Sequence, residues 1–204
     1  ILEVHWSAGN GNWESWMYGR SLENYDYYFT WAKWITPSRD LINDFKSEND
    51  TVRFNQTVVY YACTWSNYYP SSNYPFMYKY RSGYNNQYKL RLADIILLEA
   101  EAYAHQGDLT KSAALVNQIR TRAKLPNLTS AKTSSQEAMV EAVLHERRLE
   151  LALEGERWFD LCRNGKVEKY MNGLNKRDVG RLAQRKPFDQ NSYLLPMPQS
   201  ALDE

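Results

Sequence analysis

The sequence predicts a mainly α-helical fold, in which a helical hairpin and further helices follow an irregular, aromatic-rich loop region with short strands. The part up to about Tyr88 carries six of the seven tryptophans and 13 of the 16 tyrosines, mixed with Asn, Ser, Gly and Pro. From Arg91 onward aromatic residues are sparse, and apolar residues recur with the period of a helix. With 204 residues, of which 43% are hydrophobic, the chain is long enough to bury one sizeable core.

The charge balance argues against a polyanionic partner, and the cysteine spacing argues against a zinc site or a disulfide framework. The formal net charge is +1, from 25 basic and 24 acidic residues, so no excess charge attracts nucleic acid or acidic lipid. Cys63 and Cys162 lie far apart and outside any CxxC pattern, and we interpret them as two small buried side chains, with one disulfide as the alternative.

The opening ILEVHWSAGN lacks the features of a signal peptide. We expect any export signal in a part of the protein not included in this sequence.

The aromatic-rich region contains two predicted strands. ILEVHW is apolar over the length of a strand and is followed by the turn residues SAGNGN, so we predict a buried strand, with Trp6 in the core, and then a loop. A second short strand is predicted around Val58 to Cys63.

Two consecutive helices are predicted to form an antiparallel hairpin. The first runs from about Arg91 to Gly107, where glycine ends it, and Asp108 caps the second. The predicted inner faces are Leu92, Ile95, Ile96, Ala102 and Tyr103 on the first helix, and Leu109, Ala113, Val116 and Ile119 on the second.

This hairpin resembles a single tetratricopeptide-like unit, in the spacing of Ala102, Tyr103, Gly107 and Ala113. The sequence shows one copy of the unit. Because a solenoid of such units needs about three stacked repeats, we expect either further repeats upstream or another partner on which the hairpin packs.

A third helix is predicted to begin at a capping box formed by Ser134 and Glu137 and to reach Gly155. Its predicted core residues are Met139, Val143, Leu149 and Leu153. The tail from Arg181 to Glu204 contains Pro187, Pro196 and Pro198, so we predict that it runs over the surface in extended form.

The charged stretch from Glu146 to Asp160 has two interpretations. Glycoside hydrolysis needs two carboxyls about 5 to 10 Å apart across one cleft, one of them with a raised pKa. Most acids here instead lie at i, i+4 spacing or beside arginines, which lowers the pKa of a carboxyl and stabilises a helix. We therefore predict structural ion pairs, with Glu146 or Glu150 held by an arginine. The arginines considered as partners are Arg120, Arg122 and Arg157.

No metal site or cofactor is predicted. His5, His105 and His145 are isolated from one another, and none shows HxxxH or HxE spacing. The sequence contains no GxSxG, GxGxxG or GxxxxGK[ST] string, so the nucleophile-elbow, dinucleotide and P-loop interpretations have no support.

The tryptophan-rich segment that follows the first strand is the candidate sugar-binding site. A sugar ring has an apolar CH face and a rim of hydroxyls, so its site needs flat aromatic surfaces beside amide, carboxylate or guanidinium groups. For any single ring, a place in the core is the commoner role. Trp13 and Trp16 follow the turn and are the leading candidates for exposed platforms. The full set of predicted glycan-binding residues is Asn12, Trp13, Glu14, Trp16, Arg20, Tyr27 and Trp31.

Four helical and C-terminal segments resemble, in the same order, the C-terminal segments of the SusD/RagB family. They are RLADIILLEAEAYAHQGD (Arg91 to Asp108), VNQIRTRA (Val116 to Ala123), HERRLELALEGERWFDLCR (His145 to Arg163) and YLLPMPQSALDE (Tyr193 to Glu204). The opening ILEVHW and TPSRDLINDF (Thr36 to Phe45) are similar to that family's middle region. The chain is thus identified as a member of this family and as its C-terminal half.

The resemblance implies a SusD-like α/α superhelix, incomplete in this chain, with a glycan-binding face built largely from loops. On this view residues 1–88 are the aromatic-rich loop and short-strand region, 89–175 the helical region and 176–204 the extended tail of one domain. The family's four tetratricopeptide-like repeats are only partly present.

The resemblance also implies a function. It indicates a non-enzymatic surface lipoprotein that binds oligosaccharides or polysaccharides at the outer membrane for uptake by a SusC-like TonB-dependent transporter. Its only contact with the membrane is expected through a lipid anchor on the missing N-terminus. The alternatives are a peptide-binding member of the same family, a helical-repeat scaffold that binds other proteins, and a glycosidase.

Overall fold

A computed structural model describes residues 2–6, 35–63, 68–79, 86–177, 187–194 and 197–201 of the chain. The chain divides into two compact units, Ile1–Glu154 and Gly155–Glu204. Among the described residues the helices are α1 (Arg39–Ser47), α2 (Thr51–Thr57), α3 (Leu92–Gln106), α4 (Leu109–Arg122), α5 (Gln136–Glu150), α6 (Arg157–Arg163) and α7 (Val167–Arg177). None of them combines the length and apolar composition that a membrane span requires.

The strands of the first unit form two antiparallel pairs. They are β1 (Leu2–Val4), β2 (Val58–Tyr61), β3 (Tyr74–Met77) and β4 (Gln87–Leu90). β1 pairs with β4 and β2 with β3, so both predicted strands are confirmed. The prediction that the first strand is buried is wrong: Leu2 is 63% and Val4 40% exposed. Trp6 lies beyond the strand and is only partly buried, because a two-stranded ladder supplies hydrogen bonds without supplying a covering layer.

The predicted hairpin is present as α3 and α4. Gly107 ends α3 in the left-handed conformation, with φ 82°, and the Asp108 side chain accepts a hydrogen bond from the Lys111 backbone N–H at 3.1 Å. Ser112 Oγ donates to the Ala100 carbonyl at 2.7 Å, which joins the two helices directly.

The inner face predicted for α4 is confirmed, whereas that of α3 is wrong in part: of its predicted residues, Ile96 packs against the core. Leu92 is 70% and Ile95 43% exposed, and Ala102 is also exposed. Helix α3 packs between α4 and α5, and short side chains facing both neighbours let the helices approach closely. The residues of α3 that are buried are Ala93, Asp94, Leu97, Ala100, Glu101 and Ala104.

The third predicted helix is α5, with different ends. Its N-cap is Ser135, whose side chain accepts from the Ala138 N–H at 3.1 Å, so the capping box placed at Ser134 is wrong. Ser134 follows a 3₁₀ turn, Ser130–Thr133. The helix ends at Glu150 with Leu151 as its C-cap, and Leu153, which has a positive φ of 66°, lies outside it. The core residues predicted within the helix are confirmed: Met139, Val143 and Leu149 are buried.

The second unit contains α6, α7 and the described parts of the tail. Asn172 exchanges two hydrogen bonds with the backbone of Phe188, at 2.9 and 2.8 Å. The described tail is not wholly extended as predicted: it contains two 3₁₀ turns, Gln190–Tyr193 and Gln199–Ala201. Asp189 caps the first of them by accepting from the Asn191 N–H at 2.9 Å, which favours a turn over an extended chain.

Both cysteines are free. Cys63 is buried, as predicted, and Cys162 is partly buried. The alternative of a disulfide is therefore wrong.

Candidate functional site

The predicted sugar-binding residues fall in the segment 7–34, outside the described residues. They are Asn12, Trp13, Glu14, Trp16, Arg20, Tyr27 and Trp31. The structure describes the chain on both sides of this segment, and those flanks show how it is attached to the fold.

The flank before the segment is fixed by β1 and by Asn86. Asn86 Nδ2 donates to Glu3 Oε1 at 3.1 Å, and Asn86 Oδ1 accepts from the Trp6 backbone N–H at 3.3 Å. One amide side chain therefore holds the last described residues before the segment against the start of β4.

The flank after the segment is attached to the β2–β3 hairpin and the loop between its strands. Tyr69 Oη donates to the Pro37 carbonyl at 2.7 Å, and Thr36 Oγ1 lies 3.3 Å from Tyr74 Oη. Arg39 donates to the Tyr68 carbonyl at 2.6 Å, and its guanidinium lies 4.4 Å from the centroid of the Tyr68 ring. The described chain on each side of the candidate segment is thus held by defined contacts.

The tyrosines of this hairpin form a local core. Tyr74 and Phe76 are buried with their ring centroids 5.2 Å apart, and Tyr69 packs edge-on against Tyr74 at 5.5 Å. Cys63 joins the same cluster. For these rings the commoner role, that of filling a core, is the one observed.

A second feature of the first unit is a buried ion network centred on Glu146. Glu146 is 0% exposed; Oε1 accepts from Arg53 Nη1 at 2.7 Å and Oε2 from Arg120 Nη1 at 3.0 Å. Arg53 also pairs with Asp50, and Arg120 with Glu48. The predicted structural pairing is confirmed, and Arg120 was among the expected partners.

The network continues through Glu150, the last residue of α5, and Glu154, in the turn that follows the helix. Arg91 donates to Glu150 at 2.7 Å and to Glu154 at 2.6 Å, so one guanidinium spans both carboxylates. Arg122, an expected partner, donates to Glu150 at 2.6 Å, and Lys79 donates to Glu154 at 2.6 Å.

Arg157 was the other expected partner of these acids. It lies in the second unit, where its guanidinium is 4.7 Å from the centroid of the Tyr170 ring.

The electrostatics of Glu150 and Glu48 oppose acid catalysis. Burial alone would raise the pKa of Glu150, but hydrogen bonds and charge from Arg91, with the charges of Arg122 and Arg53, outweigh it and lower the pKa to about 2. The pKa of Glu48 is likewise lowered to about 2: Lys132 and Arg120 outweigh the effect of burial. A general acid for glycoside hydrolysis needs the opposite shift.

The lowered pKa of Glu150 predicts a loss of stability in acid. The carboxyl titrates near 4.5 when unperturbed and near 2 in the fold, so its contribution is complete above about pH 4.5 and is lost as pH falls towards 2. We expect a loss of about 2 kcal/mol across this range, measured by urea unfolding at successive pH values. Glu150→Gln removes the titrating group, so it should make the free energy of unfolding depend less on pH. Glu99→Gln, at an exposed position on α3, should leave that pH dependence unchanged. Equal pH slopes in the parent and Glu150→Gln would contradict the prediction.

A cavity of about 830 Å³ lies beside the outer part of the network. Its charged lining residues are Arg53, Lys79, Arg91, Arg122, Glu150 and Glu154. Within the described ranges, no cluster of three or more His, Cys, Asp or Glu residues is arranged to hold a metal ion.

Comparison with known proteins identifies the family. The model of the SusD family matches residues 73–204, more than half of the chain. The chain belongs to the SusD family. Two SusD-like proteins of Formosa agariphila are similar to it: one is 40% identical over 91 residues and the other 30% identical over 125 residues. These alignments cover 42% and 58% of this chain but only 18% and 24% of the relatives.

Solved structures of the SusD family share the fold. A laminarin-binding SusD-like protein aligns over 99% of this chain and 47% of its own, with a TM-score of 0.65 and 26% identity. A SusD superfamily protein from Bacteroides vulgatus aligns over 82% of this chain and 42% of its own, with a TM-score of 0.61 and 25% identity. The mainly helical, SusD-like fold predicted from the sequence is confirmed, and the chain spans less than half the length of these relatives.

Proposed function

We propose that this chain is the C-terminal half of a surface lipoprotein that binds glycans at the outer membrane without cleaving them. The bound glycan then passes to a SusC-like TonB-dependent transporter. The observation that carries the proposal is the structural similarity, over 99% of this chain, to a SusD-like protein that binds laminarin.

The attachment of the tryptophan-rich segment supports the proposal. Binding residues commonly lie on loops held by a rigid scaffold, and the described residues on the two sides of segment 7–34 are held by Asn86 and by Tyr69 and Arg39. We place the sugar platform in this segment, with Trp13 and Trp16 as its principal rings.

A non-enzymatic role is supported by the ion network. Glu146, Glu150 and Glu154 each accept from arginine or lysine side chains, and the pKa of Glu150 is lowered. The Glu150 carboxyl is thereby kept in its charged form. This chemistry suits stabilisation of α5 and does not supply a proton to a glycosidic oxygen.

Affinity electrophoresis of the full-length protein, in gels that contain different polysaccharides, tests the proposal. Retardation in at least one gel, with no shortening of the polysaccharide, is the expected result. Unchanged mobility in every gel would contradict glycan binding and favour the peptide-binding alternative. Shortening of the polysaccharide would show that the protein is a glycosidase.

A further inference from the structure

We propose that the cavity beside Glu150 is a second binding site, lined by residues outside the tryptophan-rich segment, for a sugar acid whose carboxylate binds Arg122 beside the buried charge of Arg53. The observations that support it are an unpartnered buried donor, a surplus of positive charge and a mixed apolar and polar wall.

The unpartnered donor belongs to Arg53. This residue lines the cavity and is only 8% exposed. Its Nε pairs with Asp50 and its Nη1 with Glu146, but Nη2 is buried and has no hydrogen-bond partner in the part of the chain that the structure describes. A buried N–H group without an acceptor is costly, so native structures nearly always supply one. Nη2 itself has almost no accessible surface, so its unsatisfied N–H contributes positive potential at the cavity wall, and that potential favours an anion in the cavity.

The charge of the network favours an anionic ligand. Within the described residues, six cationic side chains share five carboxylates in one connected network. The cations are Arg53, Lys79, Arg91, Arg120, Arg122 and Lys132, and the carboxylates are Glu48, Asp50, Glu146, Glu150 and Glu154. One positive charge therefore remains uncompensated.

Arg122 is the cation that a ligand can reach. Its side chain is 60% exposed, whereas Arg53 and Arg91 are mostly buried. Arg53 and Arg122 both contact Glu150 Oε2, so the two guanidinium groups lie close together. Planar guanidinium groups match the two oxygens of a carboxylate, and that geometry gives the strongest charge-assisted hydrogen bonds.

The rest of the wall fits a sugar ring. Val52 and Ile96 offer apolar surface for the CH face of a pyranose, while Tyr88, Gln56 and Gln118 offer hydroxyl and amide partners for its rim. The choice of a sugar as the carrier of the carboxylate rests on the proposed function. The choice of an anion does not.

Calorimetric titration of the full-length protein with D-glucuronate tests the site, with D-glucose and acetate as comparison ligands. We expect glucuronate to bind with a Kd of about 1 mM, and the other two at least about tenfold more weakly. Glucose lacks the anion and acetate lacks the ring, so equal binding of either would overturn the assignment to a sugar acid. Absence of glucuronate binding would overturn the site itself.

Two variants and a matched control locate the binding. Arg122→Gln should weaken glucuronate binding about tenfold, whereas Lys124→Gln, which removes an exposed cation just beyond α4, should leave it unchanged. Gln118→Trp keeps every charge and places a large ring at an exposed residue of the cavity wall, so it should abolish binding by filling the cavity. If glucuronate binds the parent, Arg122→Gln and Gln118→Trp equally, the cavity is not the site.

Polysaccharide gels run in parallel separate this site from the proposed function. Retardation without glucuronate binding leaves glycan capture intact and overturns the acidic-sugar site. Glucuronate binding that follows the expected variant pattern supports the site even where no polysaccharide is retained.

Discussion

Glu146→Ala is expected to lower the free energy of unfolding by about 3 to 5 kcal/mol. Glu146 is fully buried and bridges Arg53 on α2 to Arg120 on α4. Its removal leaves two guanidinium groups in a low-dielectric interior with fewer acceptors, and that penalty exceeds the value of the lost hydrogen bonds themselves. Urea unfolding of the full-length protein, followed by circular dichroism, measures the change.

Two further variants separate charge from packing. Glu146→Gln keeps the volume of the side chain and removes its charge, so it should reproduce most of the loss. Glu99→Ala, at an exposed position of α3, should change stability by less than about 0.5 kcal/mol. A Glu146→Gln variant as stable as the parent would show that the carboxylate charge is not what stabilises the network.

Local features of the sequence predict the helical half well. Gly107 and Asp108 end one helix and begin the next through conformational freedom and side-chain capping, which depend on neighbouring residues alone. Which face of α3 is buried depends instead on the helices that pack against it. The large residues Leu92 and Ile95 suggested one face, but contact with α4 and α5 selected the small residues Ala100 and Ala104.

The partners of the ion network were predictable only in part. The acids of α5 stand out as a charged stretch, and Arg120 and Arg122 lie on α4, the preceding α-helix. Arg53 is 93 residues from Glu146, and Arg91 is 59 from Glu150. No spacing rule in a single sequence connects residues so far apart, because their contact arises from tertiary packing.

Trp13→Ala and Trp16→Ala are each expected to weaken binding of the best polysaccharide ligand about tenfold to hundredfold, since a ring stacked on a sugar contributes about 25 cal/mol per Å² of buried apolar surface. Both residues follow the turn sequence SAGNGN, at the start of a segment whose flanks are tied to Asn86 and to Tyr69. The loss should fall on affinity, because replacing an uncharged ring removes no charge from the ion network that stabilises the helices.

Calorimetry against that polysaccharide measures the loss, and circular dichroism checks that the helices remain folded. Phe159→Ala is the matched control: it removes another aromatic ring, one that is 63% exposed in the second unit, and it should leave affinity unchanged. Full affinity in both tryptophan variants would show that the platform lies elsewhere, with Tyr27 and Trp31 the next rings of the segment to test. Equal losses in Phe159→Ala would show that the polysaccharide adheres to exposed rings in general rather than to a built site.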